Sequence, residues 1–110
     1  MVLPTQGHLL RIFVNEVDKH ESLPTYEWIL REARRQGLAG VTVLRGLQGF
    51  GAHSRVHTAK VLRLSADLPI VIEIVDTREK IEAFLPFIEE AVPEGLATLE
   101  KVEIRFYRSR

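Results

Sequence analysis

The residues most capable of chemistry lie together in one stretch, residues 40–60, which reads GVTVLRGLQGFGAHSRVHTAK. Gly46, Gly49 and Gly51 would let a ligand approach backbone N–H groups closely, because glycine has no side chain in the way. Between Glu32 and Asp67 every formally charged residue is basic, although the whole chain has a net charge of +0 at pH 7. The basic residues of this interval are Arg34, Arg35, Arg45, Arg55, Lys60 and Arg63. Glycines beside arginine and lysine side chains are typical of an anion-binding loop.

Two histidines in the same stretch, His53 and His57, offer a second kind of chemistry. On a helix, their i, i+4 spacing would place both imidazoles on one face, as in many zinc sites. Asp18 and His20 supply a carboxylate and a further imidazole, but on a different predicted loop. A divalent-metal site built on loop histidines is therefore the alternative to an anion site. We expect the simpler outcome, in which these histidines are polar surface residues and bind no metal.

The residue types exclude several familiar sites. No Gly-Lys-Ser/Thr follows the glycines, so the stretch is not a Walker A loop, and its spacing does not match the dinucleotide-binding fingerprint. Ser54 and Ser65 lack a recognisable base and orienting partner for nucleophilic catalysis. With 0 cysteines, the chain has neither a cysteine nucleophile nor thiolate ligands. We therefore expect a binding protein with no catalytic residues and no cofactor, not an enzyme.

Hydrophobic periodicity predicts the elements that position this stretch. A first helix is expected from Pro24, which suits a first helical turn, to a C-terminal glycine, Gly37. A second helix is expected after Asp76 and Glu79, whose spacing resembles a capping box. Alternating apolar residues indicate strands at 8–16, 41–47, 70–76 and 102–106.

The order β-α-β-loop-β-α-β predicts one α+β domain over residues 1–110, with the ferredoxin-like βαββαβ fold. Both helices should cover one face of a four-stranded antiparallel sheet, and right-handed crossovers should place the first and third strands in its middle. The segment at 46–68, between the second and third strands, is much longer than a hairpin requires. Connections of that length are usually functional or disordered, and we expect residues 52–64 to be mobile without ligand.

The sheet face that the helices leave bare is expected to form an interface. Its apolar members would be Phe13, Val71 and Val75, and a half-apolar face on a small domain indicates association. We expect ion pairs across a subunit boundary between charged side chains on that face, with Glu73 joined to Arg11 or Arg105. The charged residues expected there are Arg11, Glu73, Lys101, Glu103 and Arg105. Trp28 lies on the opposite side of its helix from the apolar stripe, and we expect it to contact a partner subunit or the long loop.

Composition limits the classes of partner. Equal numbers of basic and acidic residues, 15 of each, argue against a general nucleic-acid binder. No uncharged apolar run approaches the ~20 residues that a membrane-spanning helix needs. No signal-peptide pattern is visible, so we expect a cytoplasmic protein without membrane insertion.

Several motifs in this sequence resemble known families. GVTVLRGLQGFG, the long loop after it and DLPIVIEIVD resemble the PII-like signalling proteins, which are trimeric ferredoxin-like domains with a mobile T-loop after GFG. DKHESLPTYEWILREARRQGLAGVTVLRGLQGFG together with HTAKVLRLSADLPIVIEIVD is more closely similar to the uncharacterised PII-like family called domain of unknown function 190. The resemblance covers nearly the whole chain, and it specifies the fold more than the function.

The resemblance implies a homotrimer that binds a small anionic ligand, a nucleotide or a phosphorylated metabolite, in clefts between subunits. It also implies signalling to a protein partner through the loop at about 46–68. Thr42 matches the strand threonine, and Gly49, Phe50 and Gly51 match the T-loop base, both of which touch nucleotide in PII proteins. The remaining expected ligand-binding residues are Arg45, His53, Arg55, Lys60 and Arg63.

The sequence also departs from the PII pattern. Ala52, His53 and Ser54 follow GFG, where PII proteins have Arg-Gln-Lys, and VPEGLATLEK replaces their glycine-lysine phosphate loop. No tyrosine lies between Leu47 and Pro69, which excludes modification of a T-loop tyrosine. The alternative family is the CutA-like proteins, a related trimeric group associated with divalent metals, which would use the loop histidines.

Overall fold

The computed structural model describes residues 3–50 and 67–109. Within these ranges no helix is both long and apolar enough to cross a membrane. The elements in chain order are β1 (Gln6–Asn15), β2 (Lys19–His20), β3 (Leu23–Pro24), α1 (Thr25–Arg35), β4 (Gly40–Arg45), β5 (Pro69–Asp76), α2 (Arg78–Ala91) and β6 (Leu96–Glu103).

The main sheet has four strands in the order β4-β5-β1-β6, and every neighbouring pair is antiparallel. Its central strands, β1 and β5, are the first and third strands predicted from the sequence, so the predicted α+β ferredoxin-like arrangement is confirmed. Strand β4 ends at Arg45, where the segment that leads into the long connection begins. The base of that connection is therefore fixed at the same edge of the sheet as β4.

The core lies between one face of the sheet and both helices. Alternate residues of the two central strands are buried, because successive strand side chains point to opposite faces. Each large apolar side chain that is fully buried contributes about 1.5–3 kcal/mol relative to an exposed one. The core consists of Leu10, Ile12, Val14, Ile29, Ala33, Ile70, Ile72, Ile74, Ile81, Phe84 and Ile88.

The C-terminal end of α1 is as predicted, but the residue that caps the start of α2 is not. Gly37 has a φ of 76° after α1, as predicted for a C-terminal glycine. Helix α2 is capped by Thr77, whose hydroxyl accepts a hydrogen bond from the N–H of Lys80 at 3.3 Å. Asp76 is instead buried, and its carboxylate accepts the N–H groups of Ala39 at 2.8 Å and Thr77 at 2.6 Å. The predicted capping box was thus wrong, because Asp76 ties the end of β5 to the start of β4.

The connection at 17–23, expected to be irregular, contains a small hairpin of β2 and β3. Glu21 and Ser22 form its turn with φ values of 49° and 69°, the signs that a type I′ turn requires. Trp28 contacts this hairpin: its ring meets the ring of His20 edge-on, with centroids 4.5 Å apart. The expected contact of Trp28 with a partner subunit or the long loop stays a prediction, because residues 51–66 of that loop lie outside the described ranges.

The final strand begins earlier than predicted, at Leu96 rather than near Val102. Its register places Lys101 opposite His8 and Glu103 opposite Gln6. Directly paired residues point to the same face of a sheet. His8 lies two residues before the buried Leu10, so both face the helices, as does Gln6. Lys101 and Glu103, the partners of His8 and Gln6, therefore also lie on the helix side. The prediction that these two side chains share the open face with Phe13 was therefore wrong.

The open face carries its ion pairs within one chain. The Nε of Arg11 donates to Glu73 at 2.9 Å, and its Nη1 donates to Glu100 at 2.6 Å. Cross-strand register explains the first contact, because Arg11 and Glu73 are direct partners on β1 and β5. Within one chain, Glu73 thus pairs with Arg11, whereas Arg105 donates to Glu103 at 2.9 Å; pairing across a subunit boundary stays a prediction.

Candidate functional site

A groove of about 410 Å³ opens at the end of the sheet where β1 ends and β5 begins. We call it the loop-base groove, because the segment at 46–50 that leads into the long connection forms one wall. The opposite wall is the turn between α2 and β6. The lining residues are Phe13, Val14, Asn15, Gly46, Gln48, Gly49, Phe50, Pro69, Val71, Glu94, Gly95 and Leu96.

Glycines form the first wall because the chain runs close to Pro69. The N–H of Gly46 donates to the carbonyl of Pro69 at 2.7 Å, which extends the β4–β5 pairing by one residue. A Cβ on Gly46 would lie 2.8 Å from Cγ of Pro69, and one on Gly49 would lie 3.2 Å from the same atom. Gly49 makes no backbone hydrogen bond to any described residue, so its N–H can serve a ligand. The N–H of Gly46 cannot, since it is already used.

Gly95 forms the second wall for a similar reason. A Cβ there would lie 2.7 Å from the carbonyl oxygen of Phe13 and 2.8 Å from Cγ1 of Val92. Real Cβ atoms do not approach other atoms so closely, so only glycine fits between β1 and the end of α2. This wall was not predicted from the sequence. The Pro-Glu-Gly stretch at 93–95 indicates where the second helix ends, but not that the turn lies next to the loop base.

The surface of the groove is mainly apolar. Leu44, Val71, Phe13 and Leu96 form one cross-strand row on the open face, and the last three of them line the groove. Phe50 is 88% exposed at the rim. Exposed aromatic and aliphatic side chains around a concave surface are typical of ligand and protein contact sites.

Thr42 is not a lining residue of the groove. Thr42 pairs with Glu73, so its side chain lies on the open face beside the Arg11–Glu73 ion pair. Gly46 follows Thr42 at a distance of about 13 Å, given about 3.3 Å per strand residue. Hydrogen bonds with Glu73, and secondly with Glu100, raise the pKa of Arg11 above its ordinary value. This end of the open face is therefore polar and firmly paired, unlike the groove.

Arg45 is not a lining residue of the groove. It pairs with Ile70, which faces the core, so it points to the helix side at the end of β4. There its Nη2 donates to Glu16 at 3.1 Å. The half-exposed Arg45–Glu16 pair fixes the position at which the chain leaves the sheet. Among the predicted ligand-binding residues, the structure thus brings together Gly49 and Phe50 but not Thr42 or Arg45.

The other predicted ligand-binding residues lie outside the described ranges. They are Gly51, His53, Arg55, Lys60 and Arg63. The same holds for His57, the second histidine of the metal alternative. Within 3–50 and 67–109, no three histidine, aspartate or glutamate side chains are grouped closely enough to hold a metal ion.

Comparison with protein families and relatives defines the family. The family model DUF190, described as "Uncharacterized ACR", matches residues 7–104. A UPF0166 protein of Aquifex aeolicus is 42% identical over 96 residues, which cover 87% of this chain and 90% of the relative. A UPF0166 protein of Methanocaldococcus jannaschii is 37% identical over 87 residues, which cover 79% of this chain and 80% of the relative.

Solved structures confirm the fold. A PII-like signalling protein of Thermus thermophilus has a TM-score of 0.60 at 18% identity, with 91% of this chain and 90% of that chain covered. The protein CPII of Thiomonas intermedia, bound to ADP and bicarbonate, has a TM-score of 0.57 at 22% identity, with 90% and 88% covered. GlnK of B. subtilis in complex with ATP has a TM-score of 0.56 at 15% identity, with 91% and 84% covered.

Proposed function

The chain belongs to the DUF190 family and has the PII-like fold, and from this premise we propose that it is a nucleotide-binding signalling protein. The ligand is an adenine nucleotide or a similar phosphorylated metabolite, held at the loop-base groove. The groove itself carries the proposal, because its exposed Gly49 N–H, its apolar floor and Phe50 are the parts such a ligand needs. The protein acts as a binding module in the cytoplasm, not as an enzyme.

The apolar row suits the base of the ligand. A purine ring can lie against the Phe13, Val71 and Leu96 side chains, while Phe50 can close over it by stacking. The volume of about 410 Å³ is within the usual range for small-molecule sites. Similar folds hold such ligands, since CPII is described as bound to ADP and bicarbonate and GlnK as bound to ATP.

The phosphates require positive charge that the described groove does not supply. Its lining contains Glu94 but no lysine or arginine. The sequence places Arg55, Lys60 and Arg63 in the segment that follows Gly51, so this segment is the natural source of phosphate contacts. Recruitment of these side chains by a ligand would link binding to the conformation of the segment at 46–68, which a protein partner could then recognise.

A second copy of the chain completes the proposed site. On one chain Thr42 lies outside the groove, about 7 Å along the sheet from its lining residue Val71, and we propose that the Thr42 side chain that contacts the ligand comes from a neighbouring subunit. The open face is available for such contacts, with Leu44 and Leu96 each about half exposed. We propose a homotrimer, as the family resemblance implies.

Calorimetric titration with ADP, ATP and AMP tests the ligand. The full-length protein should bind at least one of them with a saturable isotherm, and Gly49→Val should weaken binding at least tenfold. The added side chain would meet Pro69 and occupy the path of the ligand. Arg31→Gln, on the outer face of α1, is the matched control and should bind as the wild type does, because Arg31 is exposed, does not line the groove and forms an ion pair with Glu27.

A wild-type protein that binds no adenine nucleotide would overturn the ligand class. Unchanged binding in a folded Gly49→Val variant would overturn the location. A zinc titration distinguishes the metal alternative: saturable binding at pH 7.5 that is lost near pH 6, where histidines protonate, would favour it. We expect no such binding.

The oligomeric state is tested by light scattering coupled to size exclusion at micromolar concentration. The expected mass is three times the 12.6 kDa of one chain. Phe13→Lys, which places a charge in the middle of the apolar row, should shift the population toward monomer because it would bury an unpaired ammonium. A stable wild-type monomer would contradict the proposed site between subunits.

A further inference from the structure

A second pocket lies at the other end of the sheet, where β1 begins and β6 ends. It has a volume of about 530 Å³ and is lined by residues 5–8 and 101–103. Its residues are absent from the loop-base groove, which uses the opposite end of β1. Their far ends, His8 and Asn15, are separated by about 24 Å along the strand, at about 3.4 Å per residue.

The pocket places two potential cations side by side. His8 and Lys101 are direct cross-strand partners, so their Cβ atoms are about 4.5–5.5 Å apart and point to the same side of the sheet. Neither side chain makes a hydrogen bond or ion pair with any residue of the described ranges. The Lys101 ammonium therefore has no counter-ion among the described residues, and the imidazole beside it can donate a hydrogen bond to the same ligand.

The nearby carboxylates are already engaged. Glu103 lies on the same side as Lys101 but accepts a hydrogen bond from Nη1 of Arg105 at 2.9 Å. Asp76, the partner of His8 on β5, is buried, and both of its oxygens accept backbone N–H groups at the start of α2 and before β4. Neither carboxylate is therefore a ready counter-ion for Lys101.

We propose that this His8–Lys101 pocket is a second anion site, which takes a small ligand through a phosphate or carboxylate group. The ammonium of Lys101 and the imidazole of His8 bind the anionic oxygens, and the amide of Gln6, which points to the same side, supplies a further donor. The site is independent of the proposed nucleotide site. The volume leaves room for a metabolite larger than the anionic group itself.

Nuclear magnetic resonance of the ¹⁵N-labelled full chain, titrated with inorganic phosphate and separately with acetate, tests the proposal. Saturable shifts are expected at the amides of Gly7, His8 and Lys101 with at least one of the two anions. Lys101→Gln should weaken binding at least tenfold, and His8→Gln should weaken it severalfold. Lys19→Gln, which removes an exposed lysine on the hairpin, is the matched control and should leave binding unchanged.

Two further variants test whether the anion occupies this pocket and no other. Arg105→Gln releases Glu103 and should weaken anion binding severalfold, although it removes no proposed ligand. Gly49→Val should leave the shifts at His8 and Lys101 intact, so failure of the nucleotide site and failure of this site are distinguishable. Shifts that grow linearly without saturation, or that persist unchanged in Lys101→Gln, would overturn the proposal.

Discussion

At the scale of single residues, close backbone approach decides where the groove can form. Gly46, Gly49 and Gly95 line it because a Cβ at any of these positions would crowd a neighbouring atom. Gly95 is the most constrained, since a Cβ would meet both the carbonyl of Phe13 and the side chain of Val92. The shape of the groove therefore depends on residues that contribute no side chain at all.

Replacement of Gly95 by alanine should lower the free energy of unfolding by about 1–3 kcal/mol, the usual effect of overpacking. The alanine Cβ would lie 2.7 Å from a backbone oxygen that cannot move without shifting β1. Urea denaturation measures the change. Gly40→Ala is the control, because no atom lies within 4 Å of its new Cβ, and it should be neutral within about 0.5 kcal/mol. Equal effects in both variants would contradict the packing argument.

At the scale of elements, α2 carries an internal proline. Pro86 lies within Arg78–Ala91 on the exposed side, away from Ile81, Phe84 and Ile88. Proline has no N–H to donate to the carbonyl four residues earlier, so the helix lacks one hydrogen bond there. The helix nevertheless continues to Ala91, because its buried stripe packs against the sheet on both sides of the proline.

Pro86→Ala should raise the free energy of unfolding by about 2 kcal/mol. The restored hydrogen bond and relief of the ring clash are worth about 3 kcal/mol, and the greater freedom of the unfolded chain offsets up to about 1 kcal/mol. Thermal denaturation checks the result. Ala83→Gly, on the same exposed side of α2, is a control with the opposite expected sign: it should lower the free energy of unfolding by about 1 kcal/mol. A Pro86→Ala variant that is less stable than the wild type would show that the proline is required by packing.

The elements and the order of the strands in the sheet could be predicted from the sequence, but the extent and register of β6 could not. Buried alternation in β1 and β5 and the stripe of α2 were all evident from the sequence. The register of β6 was not evident. Val102 and Ile104 alternate with charged residues and so suggest a late strand, whereas the strand begins at Leu96, and its leucines Leu96 and Leu99 are exposed. The face assigned to Lys101 and Glu103 depended on that register. The hairpin at Lys19–Pro24 was missed because its turn uses Glu21 and Ser22 rather than glycine or asparagine.

The candidate site could be predicted only where its residues are neighbours in the sequence. Gly49 and Phe50 could be singled out by local sequence, since both belong to the glycine-rich stretch itself. Glu94, Gly95 and Leu96 could not, because only the fold brings the end of α2 next to the base of the long loop. Arg45 was singled out by its charge, and the fold places its guanidinium beside Glu16, outside the lining of the groove.

At the scale of the whole molecule, a single chain holds only part of the proposed nucleotide site. The groove lies at one end of the open face, and Thr42 lies nearer the other end of β4 beside the Arg11–Glu73 pair. A ligand shared between subunits would join them and would tie the conformation of the long loop to the assembly. Nucleotide binding and oligomerisation should therefore depend on each other.

Nucleotide binding by mixed assemblies tests this central claim most directly. Gly49→Val damages the groove and Thr42→Val damages the proposed partner side, so each variant alone should bind ADP weakly. Co-refolded mixtures contain clefts in which an intact groove of one subunit faces an intact Thr42 of another, and calorimetry should detect a restored fraction of wild-type sites. If the mixture binds no better than the separate variants although its subunits exchange, the site does not lie between subunits and the account is contradicted.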